Sequence, residues 1–162
     1  MTATASRTLS TRDKTLWALL CAVSKFDLHK FQGRLAFQKV TYLLQSFGFY
    51  FGFQFNWYLY GPYSPELAKV GFEIRNGAES PADIPFTNSE AGKRFDKFLD
   101  FINAAKNDPE QLELLASIHF LTKLSPKLSK EQIIERIKAK QPYFSKDRAE
   151  QGWMHLQSYG LV

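Results

Sequence analysis

The sequence predicts a mainly α-helical (α+β) protein with about seven helices and one small antiparallel β-ribbon, because two different periodicities occur along it. Apolar residues recur every three to four positions over most of the chain, as on the buried face of a helix. The stretch from Phe53 to Tyr60 instead changes face at every second residue, which is typical of a half-buried strand.

Two helices are predicted before the strand. Thr11 has the chemistry of a cap for the first helix, and the second begins near Arg34, after Gly33, and stops at Gly48. The apolar residues that share one face of each helix are Leu16, Leu19, Leu20 and Val23 in the first and Ala36, Val40, Leu43, Leu44 and Phe47 in the second.

The strand is predicted to place Phe53, Phe55, Trp57 and Leu59 on its buried face. A turn at Gly61 and Pro62 ends it, and Ser64 then caps a third helix that extends to Ile74, with Pro65 at the first helical position. The predicted antiparallel partner lies within residues 80–87, SPADIPFT, where Pro85 allows only an edge strand.

Four further helices are predicted in the second half of the chain. The fourth starts at Ser89, and the fifth covers Pro109 to Leu124 behind Asp108. Ser129 and Gln132 form a capping box for the sixth, and Ser145 caps the seventh, which stops at Gly160. The predicted organisation is a disordered N-terminus at 1–10 and a single helical domain at 11–162, in which 125–162 resembles a helix-turn-helix.

Composition indicates a folded soluble protein, since 44% of the 162 residues are hydrophobic and 23% are charged. The single cysteine, Cys21, cannot form an internal disulfide and is predicted to be a buried, inert thiol in a reducing cytoplasm. The uncharged stretch from Val40 to Gly61 is interrupted by Gly48 and Gly52, so no membrane span is predicted. Cytoplasmic localisation is therefore expected.

The net charge of +5 is unevenly distributed. Basic residues exceed acidic ones in the segments 1–50 and 125–162, whereas acidic residues are in excess in 51–124. Basic ends are compatible with nucleic acid or with an acidic partner protein, and charge does not decide between them.

Catalytic and metal-binding patterns are absent from the sequence. His29, His119 and His155 are far apart, and neither an HxxxH nor a CxxC pair occurs. His119 is predicted to be a core histidine because apolar residues flank it, and Ser64 is predicted to be a helix cap rather than a nucleophile. The sequence thus predicts no catalytic residues, no metal and no cofactor.

Lys39 and Tyr42 are three residues apart and share one edge of the second helix. Two interpretations of Lys39 remain open. Its stem could cover apolar surface while the ammonium reaches water. Alternatively, Lys39 could lie beneath the loop YGPYSPEL and donate to loop carbonyls or to a ligand, which would allow a small-molecule or enzymatic site over Lys39.

The last two helices predict an alternative function, a winged-helix-like DNA-binding transcriptional regulator. Two short helices joined by a brief turn match the outline of a helix-turn-helix. Residues on the second of them that could contact phosphates or base edges are Lys146, Arg148, Gln151 and His155. A structural pair, or a surface for another protein, is the competing interpretation.

The segments FQKVTYLLQSFGF and FNWYLYGPYSPELAKV resemble an uncharacterised prokaryotic family typified by YwgA, and more distantly the Panacea (SocA-like) antitoxin domain. Both share a helix with a Gln-Lys and Tyr-Leu pattern, then an aromatic strand and a Tyr-Gly-Pro turn. The matching positions are Phe37, Gln38, Lys39, Tyr42, Leu43, Trp57, Tyr58, Tyr60, Gly61, Pro62, Tyr63, Ser64, Pro65, Glu66 and Leu67.

This resemblance implies a mostly helical prokaryotic domain with a small hairpin and no known catalytic activity. It implies a non-enzymatic protein-interaction module, with an antitoxin-like or defence-associated accessory role and a toxin or complex subunit as partner. Exposed tyrosines are good interface anchors, and the predicted partner-binding residues are Lys39, Tyr42, Trp57, Tyr58, Tyr60 and Tyr63. Packing of these tyrosines onto the second helix is the alternative, and the oligomeric state is left open.

Overall fold

Seven helices and one two-stranded antiparallel sheet make up the described part of the chain, which a computed structural model gives as residues 9–77, 83, 84, 86 and 88–162. The predicted mainly α fold with a small β-ribbon is confirmed. The elements in chain order are α1 (Thr11–Val23), α2 (Phe31–Ser46), β1 (Asn56–Tyr58), β2 (Gly61–Tyr63), α3 (Pro65–Gly77), α4 (Ser89–Asn103), α5 (Pro109–Leu124), α6 (Lys130–Lys140) and α7 (Lys146–Ser158).

Side-chain caps begin most of these helices where the sequence predicts them. Ser64 and Ser145 accept backbone hydrogen bonds at the starts of α3 and α7, and Asp108 does so for α5. Ser129 and Gln132 form the complete capping box of α6. The first helix differs, because Ser10 rather than Thr11 is its cap. Eight of the ten residues predicted to be disordered lie outside the described residues.

Helix α2 begins earlier than predicted. It starts at Phe31, so Gly33 lies in its first turn instead of preceding it. A Cβ atom at Gly33 would meet the backbone carbonyl oxygen of Asp27. The glycine is therefore used for close approach between α2 and the preceding loop, which is a role that sequence alone does not separate from helix breaking.

The β-ribbon is a tight hairpin rather than a long strand with a distant partner. The predicted strand over Phe53–Tyr60 is shortened to Asn56–Tyr58, and Gly61 and Pro62 belong to its partner strand instead of forming the turn. The chain reverses at Leu59 and Tyr60, and Gly61 opposite Tyr58 has a φ of +87°. The positive φ explains the glycine and places the turn two residues earlier than predicted.

The Gln45 side chain explains why the strand does not extend back to Phe53. Its Oε1 accepts hydrogen bonds from the backbone N–H groups of Phe51 and Phe53, and its Nε2 donates to the Phe53 carbonyl. These groups would otherwise have to pair with a neighbouring strand. Of the predicted partner segment 80–87, only residues 83, 84 and 86 are among the described residues, and none of them is in a strand.

Helix α5 lies at the centre of the molecule. It contacts α2 on one side and α6 and α7 on another, and β2 packs across it. Its residues from Leu112 to His119 are all buried, so this helix has no solvent-exposed stripe over two turns. On α7, a Cβ atom at Gly152 would lie 3.2 Å from Ile118. A small residue there allows α7 to approach α5 closely.

The burial of Cys21 differs from the sequence prediction. Cys21 is half-buried rather than fully buried, and its partial burial raises the pKa of the thiol. No helix in the described residues is both long enough and apolar enough to cross a membrane.

Candidate functional site

Helix α2 holds the hairpin and the start of α3 through its buried polar side chains. The Gln38 amide forms two hydrogen bonds with the backbone of Ser64, donating to its carbonyl and accepting from its N–H, both at 2.9 Å. Ser64 is itself fully buried. This paired contact fixes where the hairpin ends and α3 begins, because a buried backbone amide without a partner is costly.

Lys39 lies directly beneath the hairpin and is only 1% exposed. Its ammonium donates a hydrogen bond to the carbonyl oxygen of Pro62 at 2.5 Å. Burial lowers the pKa of Lys39 to about 8, and the carboxylate of Glu113 partly opposes that shift. The interpretation in which the ammonium reaches water is therefore wrong, and donation to a loop carbonyl is what the structure contains.

A polar layer continues from Lys39 to the loop between α6 and α7. Glu113 of α5 is buried, accepts a hydrogen bond from the Tyr143 hydroxyl at 2.6 Å, and has a pKa raised by that burial. One turn further along α5, Ser117 lies against Gly61 and accepts a bond from Gln141. Gln141 Oε1 has no hydrogen-bond partner among the described residues.

Two of the predicted partner-binding residues pack inside the protein. The Tyr42 hydroxyl lies 2.7 Å from Nδ1 of His119, and burial lowers the pKa of that histidine to about 4. The prediction that His119 is a core histidine is confirmed. Trp57 is half-buried and stacks on Phe120 with 5.8 Å between ring centroids. Tyr42 therefore connects α2 to α5, and Trp57 packs the hairpin against Phe120 of α5.

The other three tyrosines border a pocket of about 370 Å³ between α2, the hairpin and α3. Tyr58 and Tyr60 are exposed, and Tyr63 is half-buried with its ring 5.0 Å from that of Tyr58. Buried Lys39 also lines the pocket. The structure thus brings together four of the six predicted residues, namely Lys39, Tyr58, Tyr60 and Tyr63.

Exposed apolar side chains form the rim of this pocket. Leu59 at the hairpin tip is 83% exposed, although its position in the strand pattern predicted burial, and Phe72 of α3 is 57% exposed. Phe31 of α2 is also exposed, and its ring contacts that of Tyr60 at 5.3 Å. We define the pocket rim as Phe31, Tyr58, Leu59, Tyr60 and Phe72.

Five further residues line the pocket that were not predicted from the sequence as site residues: Phe31, Arg34, Leu59, Phe72 and Arg75. A signal for four of them exists in the chain. An aromatic residue precedes an arginine by three positions in both helices, as Phe31 with Arg34 and Phe72 with Arg75. Residues at this spacing share one helix face. Neither pair faces its own helix's core, so the pattern gains meaning only once α2 and α3 are placed side by side.

The predicted DNA-reading residues of α7 are largely engaged within the protein. Arg148 donates to Asp108, Glu110 and Gln111 at the start of α5. His155 stacks on Phe101 and donates from Nε2 to its carbonyl oxygen at 2.9 Å. Lys146 lies 3.9 Å from Glu150, and Gln151 is exposed. Two of the four side chains therefore stabilise helix packing.

Among the described residues, no group of three or more His, Cys, Asp or Glu side chains is placed to hold a metal ion. The pocket lining is mostly apolar and includes three cationic side chains, Arg34, Lys39 and Arg75. A scan against protein-family models and searches of curated proteins and of solved structures found no match for this chain.

Proposed function

We propose that this protein is a non-enzymatic interaction module whose partner protein binds over the hairpin pocket and its rim. The observation that carries the proposal is the ring of exposed apolar side chains around a preformed cavity. Soluble proteins rarely leave large apolar side chains clustered in water, and such clusters mark binding surfaces. Aromatic residues at the edge of a pocket are frequent sources of binding energy.

Rigid support of the hairpin favours the same proposal. Gln38 is hydrogen-bonded to the backbone of Ser64, and Lys39 is hydrogen-bonded to that of Pro62. These contacts hold the hairpin that carries the rim residues Tyr58, Leu59 and Tyr60. A preformed surface loses less conformational entropy when a partner binds. Burial of Lys39 thus has a structural role in presenting the rim, and the partner contacts the tyrosines above it.

The resemblance to the YwgA-like family and to the Panacea domain extends the proposal. The residues that carry it, Gln38, Lys39, Pro62 and Ser64 among them, are those that hold the hairpin on α2. We therefore assign the module an antitoxin-like or defence-associated accessory role in a prokaryotic cytoplasm, with a toxin or another complex subunit as partner.

Affinity capture with matched surface variants tests the proposed function. Tagged wild-type protein, Leu59→Asp and Tyr60→Ala are used as baits in lysate from the native host, and Met154→Ala, which alters an exposed apolar residue of α7, is the control. Each capture is run at low and high salt, with and without nuclease. The captured protein is identified, purified, and its dissociation constant is measured with each bait.

We expect to capture a partner protein that nuclease treatment does not remove. The purified partner should bind wild type and Met154→Ala with equal affinity, and it should bind Leu59→Asp at least tenfold more weakly. A partner insensitive to both rim variants contradicts the proposal. Recovery of nucleic acid alone, lost at high salt and on neutralising Lys146, would favour the DNA-binding alternative instead. Because Leu59 and Tyr60 are exposed, loss of folding is not expected to imitate the result.

A further inference from the structure

We propose that the hairpin pocket recognises a linear segment of the partner in which a bulky apolar side chain lies next to a carboxylate. In this arrangement the apolar side chain enters the cavity and the carboxylate is bound by Arg34 and Arg75. The inference rests on the proposed function and specifies the chemistry of the partner.

The charge of the pocket lining favours an acidic ligand. The described residues that line the pocket include three cationic side chains, Arg34, Lys39 and Arg75, and no Asp or Glu. The ammonium of Lys39 is buried and donates to the Pro62 carbonyl, so in this proposal it contributes positive potential from the floor, and Arg34 and Arg75 supply the direct contacts. A cavity with one sign of charge and low-dielectric walls attracts the opposite sign.

Among the described residues, the two arginines have more hydrogen-bond donors than acceptor partners. Arg34 Nη1 donates to the carbonyl oxygen of Leu28 at 3.3 Å, and the guanidinium of Arg75 lies 4.8 Å from the centroid of the Phe72 ring. Neither forms an ion pair with any described carboxylate. A guanidinium carries five N–H donors in a planar fork that matches a carboxylate, so both can bind one.

The cavity size and lining fit an apolar side chain. The volume of about 370 Å³ lies in the lower range of ligand pockets, which suits one or two side chains rather than a large cofactor. Ala68 and Gly71 of α3 line it with minimal side chains, and Phe37 and Leu35 of α2 supply apolar wall. Larger residues at the two small positions would fill the space.

The exposed rim favours a segment of a protein over a free small acid. A small carboxylate inside the cavity would leave Leu59, Phe72 and much of Phe31 in water, because these side chains project around the opening. A peptide segment continues past the cavity on both sides and can cover them. Burial of this apolar rim surface adds favourable binding free energy in proportion to the area removed from water.

Selection from a displayed library of random peptides tests the proposed chemistry. The library is selected on wild-type protein and counter-selected on Ala68→Leu, in which the new side chain fills the cavity. Dissociation constants of the recovered peptides are measured against wild type, Arg34→Gln, Arg75→Gln and the control Lys69→Gln. Lys69 is an exposed residue of α3 that does not line the pocket, so its variant matches the loss of charge.

The expected result is enrichment of Asp or Glu beside Phe, Leu, Ile or Trp, with affinity reduced about tenfold by each arginine variant and unchanged by Lys69→Gln, as for loss of a charge-assisted bond. Arg75→Glu should shift the selection towards Lys and Arg. Three results would overturn the inference. The selected peptides could lack acidic residues, or they could bind Arg34→Gln and Arg75→Gln as tightly as wild type. Finally, every recovered peptide could bind Ala68→Leu as well as wild type. Equally tight binding of phenylpropionate or decanoate overturns it in favour of a free acid.

Failure here is distinguishable from failure of the proposed function. If the captured partner still requires Leu59 and Tyr60 while selected peptides ignore Arg34 and Arg75, the module and its surface remain and only the acidic anchor is wrong. If the rim variants have no effect on the captured partner, the proposed function itself is wrong.

Discussion

His119 is buried between α2 and α5, and its surroundings decide its chemistry. Desolvation, with a smaller contribution from Lys123, lowers the pKa of this histidine to about 4, so the imidazole is neutral in the folded protein near neutral pH. The Tyr42 hydroxyl and, more distantly, Ser46 contact Nδ1. A group that resists protonation only when folded makes stability depend on pH.

Burial of neutral His119 should make the protein less stable in acid. Between pH 6.5 and about 4 the unfolded chain binds a proton at His119 and the folded chain does not, so the free energy of unfolding falls as pH decreases through this window. The loss should reach roughly 2 to 3 kcal/mol at pH 4. Urea denaturation of wild type and His119→Gln at each pH measures it. The stability difference between the two proteins should change by this amount between neutral pH and about pH 4, and a difference that stays constant would contradict the assignment.

Gly61 is the residue on which the hairpin turn depends, because its φ is +87° and its missing side chain admits Ser117. Gly61→Ala is expected to destabilise the protein by about 1 to 3 kcal/mol, since alanine is strained at this φ and its Cβ meets the Ser117 hydroxyl. Gly92→Ala in α4 is the control. Apart from its chain neighbours and the nearby backbone of α4, no atom of the described residues lies within 4 Å of a Cβ there, and the substitution should stabilise by about 0.5 to 1 kcal/mol. Equal effects of the two substitutions would refute the proposed role of Gly61.

At the scale of elements, α2 organises the hairpin through glutamine side chains two turns apart. Gln45 binds the backbone at Phe51 and Phe53, and Gln38 binds the backbone of Ser64. The segment between these contacts has little regular hydrogen bonding of its own beyond the short ribbon. Side chains of α2 therefore replace the neighbouring strand that a larger sheet would supply.

Gln38→Leu tests this replacement. The buried N–H and carbonyl groups of Ser64 lose their partners, so the free energy of unfolding should fall by about 2 kcal/mol or more. Hydrogen exchange of the Ser64 amide should accelerate relative to amides in α5. Gln32→Ala, at an exposed position of the same helix, is the control and should change stability by less than about 0.5 kcal/mol. An unchanged Ser64 exchange rate would show that the hairpin is held by other contacts.

At the scale of the whole molecule, α5 packs against α2 and against the C-terminal helices α6 and α7. Apolar residues of all seven helices in the described part of the chain belong to one continuous buried cluster. Leu156 of α7 is fully buried in it, and Arg148 of the same helix pairs with the acidic start of α5. The C-terminal pair is therefore expected to unfold with the remainder of the protein.

Leu156→Ala tests that expectation. Removal of a buried leucine side chain should cost about 2 to 5 kcal/mol, and the loss should appear equally in far-UV circular dichroism and in tryptophan fluorescence. Met154→Ala, two residues earlier and exposed, should have little effect. Two separated transitions in the variant would show instead that residues 125–162 form an independent unit.

Local signals in the sequence determined the helices. The capping residues Ser64, Asp108, Ser129 and Ser145 and the glycines near the ends of α2 and α7 act within one turn of where they stand, so their effect can be predicted from neighbours alone. The aromatic segment before α3 was likewise recognisable as the place where regular helix gives way to a ribbon.

Tertiary structure decided the hairpin register and the candidate site. Leu59 follows the strand pattern yet is exposed. Backbone hydrogen bonds to the Gln45 side chain and the space beside Ser117, both outside the hairpin, set where the chain reverses. Lys39 is buried and supports the hairpin because the Pro62 carbonyl lies above it and accepts its hydrogen bond. The pocket exists only where α2, α3 and the hairpin meet, and contacts of that kind depend on residues far apart in the chain.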